Sequence, residues 1–281
     1  MSCEKKVDFV PETVAPKLVV DAEIENGRAP IVVLTYSTGF FSKIDSATAT
    51  NLFVRNAKVT VSDGTITHQL REYPIKAPSG VTFYVYSNDF LTPSTAITGI
   101  IGKKYELKID IGGKIYTSTT TIPLLTKKID SLWWLPAPLN PDPKRTSLMC
   151  RVTDPPGFGN YIRYFTQTGK NGNFFPGENS VFDDNIIDGK TYDVQVDRGF
   201  DRSQERKPDE DDFFLRGDTV TVKFCNIDKA TYDFWNTWEF AAQSIGNPFA
   251  APNKVIGNIS NNALGVFAGY AAQYKTLVIP K

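Results

Sequence analysis

Histidine is almost absent from this 281-residue chain, which has one, His68. Serine–histidine–acid triads, HExxH zinc sites and clustered histidine metal sites therefore have almost nothing to draw on. His68 lies in the alternating stretch 65–70 and reads as a surface residue of a strand. The glycine patterns of a P-loop and of a Rossmann turn are missing too. Neither sign of charge is in excess, because 31 lysines and arginines meet 31 aspartates and glutamates. That balance argues against nucleic acid, whose binding depends on a basic surface that neutralises phosphates. No apolar run approaches the ~18 residues of a membrane-crossing helix, and a membrane β-barrel would need many more amphipathic strands.

Cysteine is scarce, and the three present have separate readings. Cys3 follows Ser2 and precedes Glu4, Lys5 and Lys6, which looks like the cleavage site of a bacterial lipoprotein. A small residue stands before the acylated cysteine in such sites. The apolar stretch that should precede it is missing, so Met1 reads as standing where a signal peptide was trimmed. The other reading of Cys3 is an ordinary free cysteine near a chain end. A lipid on Cys3 would tether the protein to a membrane surface without spanning it. Cys150 and Cys225 both fall in strand-like segments of the second half. In an oxidising compartment they would form a disulfide; otherwise they are two buried thiols acting as small apolar residues.

What the chain has in quantity is strand pattern. Residues 17–23, 30–35, 54–61, 65–70, 81–86, 105–110 and 114–118 are short β-rich runs, with turns at Asp63-Gly64 and Gly112-Gly113. About seven strands in a hundred residues is the pattern of an immunoglobulin-like β-sandwich, claimed here as architecture only, because its cysteine pair and buried tryptophan are absent. Pro123 and the residues after it mark a boundary. The chain thus divides into a tether, 1–14, a sandwich, 15–122, and a second β-rich domain, 123–281. The second domain has strands at 147–152, 160–166, 191–196 and 219–225, long loops between 169 and 208, and a last strand pair at 264–270 and 274–279. One short amphipathic helix is expected near 229–243, with Asp228 as its N-cap and Thr231, Trp235, Trp238 and Ala242 on its buried face.

These landmarks together resemble the DUF4249 family of Bacteroidota outer-membrane lipoproteins. The resemblance begins at Cys3 and residues 17–24, and continues through 56–64, 102–107 and 113–118. It includes Asp154-Pro155-Pro156-Gly157, Asn160-Tyr161, Phe182-Asp183-Asp184 and Asp188-Gly189. Its most specific part is the end, from Gly217-Asp218 through Ile227-Asp228 and Asn247-Pro248-Phe249 to residues 263–267. The resemblance implies lipidation at Cys3, an N-terminal β-sandwich, a second β-rich domain and a TonB-dependent outer-membrane receptor encoded alongside. It implies no reaction. The mixed charge of residues 4–8 departs from the acidic cluster that often follows the cysteine in surface-exported lipoproteins, so the cell surface is expected and the periplasmic face stays open.

Candidate sites are few. Asp183, Asp184 and Asp188 offer oxygen ligands suited to calcium, although their spacing fits no EF-hand and solvated loop carboxylates are the competing reading. Residues 209–212 are acidic and follow Arg202, Arg206 and Lys207, either as a docking edge or as a solvated loop. Adjacent aromatics in a strand point to opposite faces. Among Phe40-Phe41, Trp133-Trp134, Phe174-Phe175 and Phe213-Phe214, the pairs Phe174-Phe175 and Phe213-Phe214 sit in loop-rich surroundings and are the candidate partner interface. The expected function is that of a non-enzymatic accessory or ligand-capture partner of a TonB-dependent receptor. A scaffold subunit of a larger outer-membrane assembly or secretion complex is the alternative, and an enzyme acting on glycan or peptide the weakest.

Overall fold

Alternation sets the first strand. In β1 (Leu18–Glu25) the apolar Leu18, Val20, Ala22 and Ile24 are buried, while Val19, Asp21 and Glu23 take the opposite face. The structure is a computed structural model that describes residues 15–39, 45–77, 80–169, 172–204, 212–245 and 253–281. After β1 come β2 (Ile31–Tyr36), helix α1 (Ser46–Asn51), β3 (Lys58–Ser62), β4 (Thr67–Gln69), β5 (Arg71–Lys76), β6 (Thr82–Ser87), β7 (Lys104–Ile111) and β8 (Lys114–Thr121). The second half contains β9 (Lys128–Pro136), β10 (Arg145–Thr153), β11 (Tyr161–Thr168), β12 (Phe175–Phe182) and β13 (Thr191–Val196). It ends with β14 (Phe214–Leu215), β15 (Thr219–Ile227), helix α2 (Lys229–Gln243) and β16 (Leu264–Val278). The chain is mainly β, and the one long helix among the described residues lies where the aromatic run predicts it. Helix α1 and strands β5, β9 and β14 were not expected. Helix α1 is a six-residue turn capped by Asp45. β5 contains Pro74 and forms the sheet edge, where a missing N–H removes no ladder bond.

One eight-stranded sheet runs β12-β11-β15-β16-β1-β2-β6-β5. The four-stranded sheet β4-β3-β7-β8 covers one end of it, and a second small sheet, β10 with β9, β13 and β14, covers the other. Both lie on the same face of the large sheet, because Phe267 and Ala271 of β16 and Phe224 of β15 share that side of the ladder. Two sandwich-like layers result. The first core is built on Val20, Leu34, Val61, Leu107 and Ile109. The second is built on Leu148, Val152, Ile162, Val222 and Phe214. Helix α2 occupies the opposite face, over Val266, Ala268, Tyr270 and Cys225.

The C-terminal strand differs from expectation. β16 is one continuous strand of 15 residues, not a pair, because Ala271, Ala272 and Gln273 supply none of the residues that turn a chain. Its first part pairs in parallel with β1, from Val19↔Leu264 to Glu25↔Tyr270. Its second part pairs antiparallel with β15, from Ile227↔Tyr270 to Thr219↔Val278. The stretches 15–122 and 123–281 therefore share a strand: β16 belongs to the second in sequence and places Phe267 and Ala271 in the core of the first. Among the described residues no helix is long and apolar enough to cross a membrane.

His68 is not a surface residue. It is 0% exposed. Its Nε2 accepts the Asp89 N–H at 2.9 Å, and its Nδ1 lies 2.8 Å from Thr95 Oγ1. An accepting Nε2 places the proton of the neutral ring on Nδ1, which then donates to Thr95. Alternation along 65–70 was read correctly, but the inward side was assigned to the wrong parity.

Two predictions follow from this packing. Gly265 has φ +103°, and a Cβ there would lie 1.9 Å from the Val20 carbonyl oxygen. Gly265→Ala is expected to lower the unfolding free energy by roughly 2–4 kcal/mol in urea denaturation, from backbone strain plus overpacking; a variant as stable as the parent would contradict the close approach. Burial holds the His68 pKa below its ordinary 6.5, against the opposing pull of Asp89. Its neutral form thus contributes stability that is complete above the unfolded value and is lost as pH falls through the folded value. Stability of the parent should decline below about pH 6.5, and His68→Gln should flatten that part of the profile.

Candidate functional site

Helix α2 is held at both ends. Asp228 caps it, with Oδ1 accepting the Thr231 N–H at 2.9 Å, while Oδ2 accepts from the Thr121 N–H and Thr120 Oγ1 at 2.9 and 3.0 Å. A carboxylate here completes the N-terminal amides and complements the helix dipole. Near the other end the buried Glu239 accepts from the Ser180 N–H and Oγ at 2.9 and 2.5 Å and from Arg202 at 3.1 Å. The helix packs on β11, β12 and β16 and leaves a hollow of about 460 Å³ beside β1. Phe165, Phe175, Phe200, Trp235 and Trp238 form its walls, and Val19, Val266, Asp21 and Glu23 line its floor.

Every cation at the hollow is engaged by the protein itself. Arg163 donates to Tyr270 Oη at 3.0 Å and to Ser180 Oγ at 3.2 Å, and its guanidinium lies 3.4 Å from the Trp235 ring centroid. Trp235 Nε1 also donates to Tyr270 Oη, at 3.1 Å. Arg202 donates to Glu239 and to the Gly177 and Glu178 carbonyls. Lys223 pairs with Glu25, which also accepts from Tyr274 and pairs with Arg28 at 3.0 Å. Asp21 and Glu23, by contrast, make no hydrogen bond or ion pair among the described residues. Burial raises the Asp21 pKa above 3.8, only partly offset by Arg163. Solvent reaches Asp21 through the mouth of the hollow, yet the walls around it deny its charge full hydration. Burial also raises Glu23 above 4.5, with Lys223 opposing and Asp21 and Glu25 reinforcing. The sequence reading placed both in a β-rich run and singled out neither; the signal that could have done so is a pair of acids at alternate positions of an apolar strand that turns out to be central.

The residues singled out from sequence scatter. Cys3, Phe40, Phe41 and residues 209–211 lie outside the described residues. Cys150 and Cys225 are not bonded. Cys150 belongs to the core of the second sandwich and Cys225 to the helix side of the large sheet. The sheet separates them, because Cys225 alternates with Phe224, the residue that faces Cys150's core. Burial pushes both thiols up to about 12, leaving them protonated and unreactive. Phe175 forms a wall of the hollow, and Phe174 meets the Tyr274 ring edge-on at 5.6 Å. Phe213 is half-buried. Phe214 cannot serve an interface: it is 1% exposed, pairs with Thr146 and fills the second core.

The acidic trio is also rearranged. Asp183 stands apart, accepting from Tyr232 Oη at 3.1 Å and from Asn185 at 2.6 Å. Asp184 and Asp188 converge instead with Asp154, their nearest oxygens all within 4.8 Å of one another. Asp154 Oδ1 forms an ion pair at 2.7 Å with Lys127, without hydrogen-bond alignment, and both side chains are fully buried. Asp154 Oδ2 accepts the Gly189 N–H. Asp184 accepts the N–H groups of Gly159 and Asn160, and Asp188 that of Gly157. Together they clamp the loop 154–160 onto 184–189, and a calcium ion would have to displace these donors. A further space of about 370 Å³ lies inside the second sandwich between Cys150, Tyr164, Tyr192 and Phe224. It is an incompletely filled apolar core with no unengaged charge at its rim.

Fold and site together define a mainly β protein with two layered units on one large sheet and a helix-roofed hollow on its other face. The sequence profile of the family described as domain of unknown function DUF4249 matches residues 4–276, and the chain belongs to that family. No curated protein matches its sequence.

Asp154→Ala would leave the Lys127 ammonium buried without its partner, and is expected to destabilise the fold by about 3–5 kcal/mol. Thermal melts of parent and variant should be unmoved by added calcium; stabilisation of the parent by calcium would make the acidic cluster a metal site instead of a loop clamp.

Proposed function

We propose that the protein is a non-enzymatic ligand-capture protein of the outer membrane, tethered by a lipid on Cys3 and working as an accessory partner of a TonB-dependent receptor. The observation that carries capture is the hollow beside β1. Its volume of about 460 Å³ lies within the range of small-molecule sites, which combine apolar walls with a few converging polar groups. Its two unengaged carboxylates project from one strand two residues apart, about 6.6 Å along the chain, and so address a ligand from one side. Glycoside hydrolysis needs carboxyl groups that flank the scissile bond, so the arrangement favours binding over cleavage. The tether, the cell-surface or periplasmic placement and the receptor rest on the family resemblance that begins at Cys3.

A scaffold subunit of a larger outer-membrane assembly is the second reading. It is favoured by the uncovered outer face of β2, β6 and β5, where Ile31, Ile75 and Phe83 are 41%, 52% and 41% exposed. Contiguous exposed apolar surface of this kind marks contact sites.

Purification of the tagged protein from its own membranes in mild detergent, followed by mass spectrometry, separates the two. One TonB-dependent receptor in near-equal amount is the expected result. Several assembly or secretion subunits would make the protein a scaffold, and the absence of any barrel would overturn both readings.

A further inference from the structure

We propose that the ligand of the hollow is an organic cation, a substituted ammonium whose charge meets Asp21 and Glu23 and whose carbon groups lie against Phe175, Trp238 and Val266. This deepens the capture reading and rests on it. Elimination among the groups that line the space leads to this ligand class. The donors Arg163, Arg202 and Trp235 are all engaged with Tyr270, Ser180, Glu239 and main-chain carbonyls. What the hollow offers a newcomer is negative: two carboxylates without partners among the described residues and aromatic rings, whose faces attract cations. An anionic ligand would meet two carboxylates against one guanidinium, that of Arg163, since Arg202 is paired with Glu239 among the described residues. A bare metal ion would find oxygen on the floor only, since the phenyl and indole walls supply no ligands. A cation carrying alkyl groups matches both the charge of the floor and the apolar walls.

The raised carboxyl pKa values agree with this geometry: burial outweighs the pull of Arg163 on Asp21 and of Lys223 and Arg163 on Glu23, and a bound cation would add to that pull. The protein already places cations on these rings. Arg163 lies over Trp235 and Phe165, Arg202 over Trp238, and Lys223 over Phe165.

The test titrates the full chain with choline and with its uncharged isostere 3,3-dimethylbutan-1-ol, followed by calorimetry and tryptophan fluorescence. Choline is expected to bind saturably and at least about tenfold more tightly than the alcohol. The double substitution Asp21→Asn with Glu23→Gln keeps side-chain shape and is expected to weaken choline by at least about tenfold, with no change in the alcohol. Circular dichroism confirms that the variant is folded, and the comparison of the two probes on the parent needs no variant at all. Equal binding of the two probes, undiminished choline binding by the variant, or no saturable response to choline overturns the cation. Tight binding of the alcohol alone would overturn the cation while leaving capture standing. Failure to recover a receptor from membranes would remove the accessory role and leave this result untouched.

Discussion

The parallel pairing of β1 with β16 is the constraint on which the rest of this structure depends. It joins segments about 245 positions apart in the chain, and without it the large sheet would be two smaller ones. Because β16 passes from β1 to β15 at Tyr270 without a break, its first part helps close one core and its last part the other. The close approach needs glycine at two points: Gly265 against the Val20 carbonyl and Gly269 against the Thr121 carbonyl. Pairing so distant in sequence carries a large loop-closure cost before any contact repays it, so β1 can take its place only once most of the chain is organised.

The same pairing creates the hollow. Placed beside β16, the outward residues of β1 face a helix rather than open water, and acids that alternation alone would leave solvated become the floor of an aromatic space. Two neighbouring cations are paired with acids, Lys223 with Glu25 and Arg202 with Glu239, while Arg163 donates to the Tyr270 and Ser180 hydroxyls and lies over the Trp235 ring. Asp21, exposed at the mouth, and Glu23, half-buried, have no hydrogen-bond or ion-pair partner among the described residues and stay open to a ligand.

Much of the scaffold was legible in the sequence, for reasons that differ by element. The hairpin at Gly112-Gly113 and the Asp228 cap are local signals, and both appear where local chemistry places them. The mainly β class and the layered arrangement follow from period-two alternation. What was not legible depended on parity or on distant partners. His68 alternates as a strand residue should, but alternation does not say which face is inside. Cys150 and Cys225 read either as a disulfide or as two buried thiols until the sheet is seen to run between them. Asp154 joins Asp184 and Asp188 only because Lys127, from the linker before β9, is buried against it. The hollow was invisible for the same reason: β1, at the start of the chain, meets α2, β11, β12 and β16 of the second half to form its floor, roof and walls.

The central claim is that folding holds Asp21 and Glu23, without hydrogen-bond or ion-pair partners among the described residues, in a space roofed by α2. Titration of the side-chain carboxyl carbons by NMR in the unliganded protein tests it most directly. The account predicts that Asp21 titrates above 3.8 and Glu23 above 4.5, the latter raised further by the charge of Asp21. Midpoints at or below those values would mean that water or a protein cation already satisfies both groups, and would contradict it.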